Sequence, residues 1–315
     1  MTDASPSPIF RLMRKFSDLL IAFAVVVCVE AWLHASADQL AAVKIGDFRS
    51  DSVSDCIRKA EQNAPDLDYA VIGSSVTSAL DPDALGGSKE CERFVLFSAD
   101  TLGTRRLAEE IVFPNLRPNH VVYVLSPRDV NALSNVGMIN ASIPDIDLYS
   151  ESPLRYATHQ WVQSNFQLYR YRAHLLSALK AMLRPTTPVA KTEATTPARS
   201  GPLFTQFAPS PRWQSDLKAL HASCVIQGSE LVIVYLPCNP SDGATSPAFR
   251  EAAGEWHAEL NDWCAANRID CFDASVAANT ADHYRDTHHL NEDGRAELTQ
   301  TFANWIATRS TTGKL

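Results

Sequence analysis

Several features are scarce in this 315-residue chain, and each scarcity excludes something. Basic charge is not in excess: the formal net charge is −8, against the basic face that a nucleic-acid binder normally carries. Paired cysteine ligands are missing. No CxxC pair and no Cys/His ligand spacing occurs, which argues against a structural zinc site. Glycine is sparse at 12 residues, there is no internal repeat, and the 45% hydrophobic and 20% charged content is that of an ordinary globular protein. The conspicuous apolar run, Leu19–Val29, is only 11 residues long, short of the roughly 20 needed to span a bilayer.

That run is nevertheless informative. Arg11, Arg14 and Lys15 precede it, and basic residues ahead of an apolar segment stay on the cytoplasmic side. The sequence therefore predicts a cytoplasmic tip and a signal-anchor or signal peptide over 1–37. An anchor would sit in the cytoplasmic membrane through residues 16–35. Ala35-Ser36-Ala37 has the form of a cleavage site, whereas Glu30, Trp32 and Leu33 between core and site argue for retention. Either way the rest of the chain is expected outside the cytoplasm, in the periplasm. Six cysteines besides Cys28 are an even number, as a disulfide set requires, and they also suit buried apolar thiols.

Beyond a helical neck at 38–67, the pattern alternates. Short apolar runs at Tyr69–Ile72, Arg93–Phe97, His120–Leu125, Glu230–Leu236 and Ile269–Phe272 read as buried strands. Helical spacing appears at 104–113, 156–183, 249–266 and from Asn291 onward, and the Pro/Thr/Ala-rich stretch 185–202 reads as a flexible insertion. Strands alternating with helices predict an α/β domain over 68–315: a doubly wound parallel sheet of five strands, flavodoxin-like, behind an N-terminal membrane helix. In such sheets a ligand sits at the carboxyl ends of the strands, where the strand order reverses.

The residues after the strands are then the candidates for chemistry. Gly73-Ser74-Ser75 closes the first strand and is expected to open a helix, whose free N–H groups favour developing negative charge. Taken alone, Ser75 is as well explained by capping. Near the C-terminus stands Asp286-Thr287-His288-His289-Leu290-Asn291-Glu292-Asp293-Gly294. Asp286 and His289, three apart, let a carboxylate hold one ring nitrogen while the other faces a serine. A metal site from His283, Asp286, His288 and His289 is the competing use of these residues, but their spacing fits no known zinc pattern.

Asp-x-x-His-Leu-Asn-x-x-Gly ahead of a final helix resembles the last signature block of the SGNH, or GDSL-type, hydrolases. Gly73-Ser74-Ser75 stands where that superfamily has Gly-Asp-Ser. The Gly-Ser-Ser form resembles its membrane-anchored branches, among them accessory proteins of alginate acetylation and teichoic-acid D-alanylation. Ser98–Gly103 after the second strand resembles the second block, with Ser98 for the usual Asn. The third block aligns with Ser126-Pro127-Arg128-Asp129 and lacks its asparagine.

The resemblance implies a catalytic set of Ser75, Asp286 and His289 and an oxyanion N–H from Gly103, with no metal and no cofactor; where the third block departs from the family, Arg128, with Asn131 as a second candidate, is expected to complete the oxyanion hole or bind substrate. It implies a serine esterase or O-acyltransferase working through an acyl-serine on a cell-envelope or exopolysaccharide substrate, an acylated glycan or lipid-linked molecule, with a membrane acyltransferase as partner. The alternative is a non-catalytic glycan-binding or assembly partner on the same fold, which the altered third block favours.

Overall fold

A computed structural model of the chain describes residues 21, 23–32, 35, 48–86, 90–134, 144–165 and 204–311. They fall into two units, one drawn from Met1–Asp47 and Leu154–Glu193, the other from Phe48–Pro153 and Ala194–Leu315. In the first unit, residues 23–32 are helical, and so is most of Pro153–Asn165. No helix among the described residues is long and apolar enough to cross a membrane. Part of the expected anchor at 16–35, most of the cleavage site and the insertion at 185–202 lie outside the described residues.

The second unit carries the sheet. Five strands, β1 (Asp66–Gly73), β2 (Cys91–Val95), β3 (Arg117–Leu125), β4 (Glu230–Tyr235) and β5 (Asp270–Asp273), pair in the order β2-β1-β3-β4-β5, all parallel. The α/β class and the five expected strands are therefore what the chain forms. β3 shows why. Val121 to Leu125 are all buried, since a central parallel strand is covered on both faces and has no polar side to present. Because β1 is flanked by β2 on one side and β3 on the other, the order reverses between β1 and β3. In sheets of this kind the crevice for a ligand lies at such a reversal, outside the carboxyl ends of the strands.

The main helices are α1 (Phe48–Gln62), α2 (Thr101–Leu107), α3 (Trp213–Gln227), α4 (Pro247–Asn267) and α5 (Glu292–Thr311). The stretch expected as a neck is thus, from Phe48, a helix of the domain itself. Val53, Cys56, Ile57 and Ala60 form its buried face at helical spacing, and Lys59 Nζ reaches Arg93 O and Glu92 on β2. α2 begins three residues before the expected start because Asp100 caps it. On the other side, α5 lays Leu298 and Phe302 into a core shared with Val71, Val122, Val124, Val234 and Phe272. Burying each such side chain contributes about 1.5–3 kcal/mol, so the helix that follows the histidine segment is firmly docked.

Candidate active site

Gly73 ends β1 with φ +143, a conformation that side chains rarely adopt, and a Cβ there would meet Val124 O of β3 at 2.7 Å. The glycine lets the chain turn sharply against β3. Ser74 then caps a turn rather than an α-helix. Ser75–Ala79 is a five-residue 3-10 segment, so the expected helix-dipole contribution at Ser75 is small. Thr77 and Ser78 hydroxyls donate to the carbonyls of Ser74 and Ser75, at 2.7 and 2.8 Å, and fix the turn.

On the far side of the crevice, the histidine segment is closed by an antiparallel bridge between Tyr284 and Leu290, with Arg285 N donating to His289 O at 2.9 Å. Asn291 accepts from Gly294 N at 2.9 Å, and a Cβ on Gly294 would fall 2.3 Å from His283 O, so only glycine fits where α5 starts. The loop after β4 holds this segment from outside: Asn239 N donates to Thr287 O, and the buried Thr287 hydroxyl bonds the Asp242 carboxylate.

These two supports bring Ser75, His289 and Asp286 together. Ser75 Oγ lies 2.8 Å from His289 Nε2. His289 Nδ1 lies 2.9 and 3.0 Å from the two Asp286 oxygens. Asp286 Oδ1 also accepts the backbone N–H groups of His288 and His289, at 3.1 and 2.9 Å. Burial opposes ionisation of Asp286, but the His289 hydrogen bond and these backbone donors outweigh it and hold the carboxyl well below the usual range. An ionised Asp286 keeps the imidazole proton on Nδ1 and leaves the Nε2 lone pair for the serine hydroxyl.

A second buried cluster lies beneath Ser74. Asp129 accepts from Ser126 N and Ser126 Oγ, both at 2.9 Å, and from the Ser74 side chain. Burial raises the Asp129 carboxyl, against the lowering effect of the Arg128 charge and these hydrogen bonds. Ser126-x-x-Asp129 is a capping pattern legible in the sequence. Its link to Ser74 joins residues 52 to 55 positions apart and is not.

The remaining expected residues divide. Gly103 does not offer a free N–H, because that group donates to Asp100 Oδ1 at 2.8 Å as the cap of α2. Asn131 is not an oxyanion donor either. It is buried, its Nδ2 donates to Gln206 O at 2.9 Å, and its Oδ1 accepts from Leu133 N and Ala208 N. It pins residues 206–209 to the domain. Arg128 alone keeps donors in hand. It sits just after β3, its Nε is buried without a partner, and among the described residues it makes no ion pair. Its charge is felt at Asp129, Cys238 and His288.

His288, next to His289 in the chain, is a neighbour of the site. Its ring is 3.9 Å from that of His289 and 5.3 Å from Phe204, and neither nitrogen has a hydrogen-bond partner. Burial, then the charges of His289 and Arg128, push its imidazole down to about 3, so it is a neutral ring at ordinary pH. Asp286, His288 and His289 could each turn one atom towards a common point, those atoms lying within 4.8 Å of one another. A cation there would have to displace a bond of His289, whose two nitrogens already face Ser75 and Asp286. His283 points elsewhere, with Nδ1 on Ala277 O and Nε2 on Glu297.

No family model and no curated protein matches the chain. Among solved structures it is similar to a GDSL-like lipase from Bacteroides thetaiotaomicron, at 11% identity and TM-score 0.45, covering 82% of this chain and 98% of that one. It is similar also to a carbohydrate acetylesterase from Sinorhizobium meliloti, at 11% identity and TM-score 0.38, over 78% and 99%. A third is an inhibitor-bound aryl esterase of M. smegmatis, at 12% identity and TM-score 0.37, over 78% and 99%. The chemistry must therefore come from this chain's own side chains.

Proposed function

We propose that the chain is a serine esterase or O-acyltransferase that works through an acyl-Ser75 intermediate. The observation that carries this reading is the continuous hydrogen-bonded line Ser75–His289–Asp286 at the switch point of the sheet. A serine hydroxyl is a weak nucleophile at its own pKa and needs a base in direct contact. His289 Nε2 takes the Ser75 proton as Oγ attacks an ester carbonyl. Asp286 stabilises the imidazolium without becoming protonated. The same proton then goes to the departing alcohol, leaving acyl-Ser75. A water or a sugar hydroxyl, deprotonated by His289, resolves the ester. Arg128 is the group suited to bond the oxyanion, because it makes no ion pair among the described residues and its Nε has no partner.

The reading of substrate and setting is supported by the sequence. Basic residues ahead of the apolar run support a location outside the cytoplasm, bound to the cytoplasmic membrane. With the resemblance to membrane-anchored acetylation and alanylation proteins, this favours an acylated envelope glycan, exopolysaccharide or lipid-linked substrate and a membrane acyltransferase as partner. A second reading is a non-catalytic glycan-binding partner. It is favoured by one observation: Gly103 N–H and Asn131 are spent on structure and leave the oxyanion few donors. A fluorophosphonate probe separates the two. Modification of wild type at Ser75, lost in His289→Ala, supports the esterase; no labelling of a folded wild type supports the binding partner.

A further inference from the structure

We propose that Cys264 and Cys271 are a disulfide-forming pair, a covalent modification site at the end of the sheet opposite the Ser75 crevice. Cys264 lies in the last turn of α4 and Cys271 is the second residue of β5. Between them Arg268 takes a left-handed conformation (φ 56). Its N–H bonds back to Ala265 O, and Ile269 N bonds to Cys264 O at 2.9 Å. This tight closure folds the start of β5 against the end of α4 and brings the seventh residue after Cys264 beside it. The two side chains meet: the Cys271 thiol is the group in hydrogen-bonding contact with the Cys264 thiol.

Access is provided for. Both cysteines line a cavity of about 800 Å³ at the amino ends of β4 and β5, together with His221, Asn261 and Arg268. Cys264 is buried and Cys271 half-buried. Cys56 donates to Val95 O, and no second thiol is among the groups acting on Cys56, Cys91, Cys224 or Cys238. Six cysteines were an even set in sequence; the fold puts one pair in contact.

The oxidant is a low-molecular-weight disulfide such as oxidised glutathione. The more exposed Cys271, as thiolate, attacks it, forming a mixed disulfide and releasing one glutathione thiolate. Cys264 then attacks the Cys271 sulfur, the Cys264–Cys271 bond forms, and the second glutathione leaves. The two protons lost by the protein end on the two glutathione thiols, and the protein is oxidised by two electrons. Each attacking sulfur must be a thiolate, so disulfide formation quickens as pH rises.

The test uses the reduced full-length chain, incubated with oxidised glutathione at mildly alkaline pH, blocked with N-ethylmaleimide and mapped by mass spectrometry. The expected result is a peptide linking Cys264 to Cys271, two hydrogens lighter than the reduced pair, with Cys56, Cys91, Cys224 and Cys238 alkylated. Thermal melting of the oxidised chain should rise, and the rise should vanish in Cys271→Ser. Cys264→Ala serves as a second variant if that one folds poorly. Alkylation of both Cys264 and Cys271 after oxidation would overturn the proposal, as would a lasting glutathione adduct on Cys271.

Discussion

Ser75 Oγ and His289 Nε2 stand 2.8 Å apart although 214 positions separate them in the chain. The parallel sheet makes that meeting possible. It delivers the end of β1 to the crevice, while the docking of α5 fixes the segment before it over the same edge. Because Asp286 both bonds the imidazole and caps two backbone N–H groups, its two roles can be separated. Asp286→Asn keeps an oxygen for the backbone caps but loses the anion that sets the His289 tautomer. Ester cleavage should fall by about 10³- to 10⁴-fold with little change in melting temperature. Steady-state kinetics beside a thermal melt check both halves.

Arg128 should matter to rate more than to stability. It makes no ion pair among the described residues, so Arg128→Met should leave the fold intact and lower kcat by roughly 10² to 10³, the effect of losing one oxyanion donor. Arg128→Lys should recover part of that loss. An unchanged kcat in Arg128→Met would remove the guanidinium from the reaction.

Much of this architecture was legible beforehand, for identifiable reasons. Val121–Leu125 of β3 and Leu231–Tyr235 of β4 are continuously apolar because both faces are covered, and that pattern needs no tertiary knowledge. Asp286 and His289 are three apart in one segment, so their contact is local. The oxyanion residues were read less well. Gly103 N–H is claimed by Asp100 and Asn131 by Gln206, Leu133 and Ala208, and competition for a donor is decided by partners that sequence order does not reveal. For the same reason the link from Ser74 to Asp129 emerges only when β1 and β3 share one edge.

Gly73 carries the turn that presents Ser75. Gly73→Ala forces a side chain into a positive-φ conformation and within 2.7 Å of Val124 O. We expect a loss of about 1–3 kcal/mol in urea unfolding, together with reduced activity from a displaced serine.

His288 should make the protein acid-sensitive. Its folded-state value near 3 lies below the roughly 6.5 of an unfolded histidine, so between these limits the unfolded chain binds a proton that the native one refuses. Stability must then rise with pH across that window and fall as acid is added, by at most about 1.4 kcal/mol per pH unit. Asp286, held low, adds a further loss below about pH 4, where its unfolded form protonates. Replacing His288 by Phe, which keeps a ring against Phe204, should flatten the curve between about pH 4 and 6.5 and leave the loss at lower pH. Urea midpoints measured from pH 3 to 8 decide it.

The most direct measurement is the rate at which the soluble domain releases phenolate from an activated aryl acetate, with wild type and Ser75→Ala side by side. One hydroxyl in a half-buried turn contributes little to folding, so both proteins should melt alike. The account predicts that wild type turns over and that Ser75→Ala falls at least about 10³-fold, towards the rate without protein. Retention of the wild-type rate by a folded Ser75→Ala would contradict it.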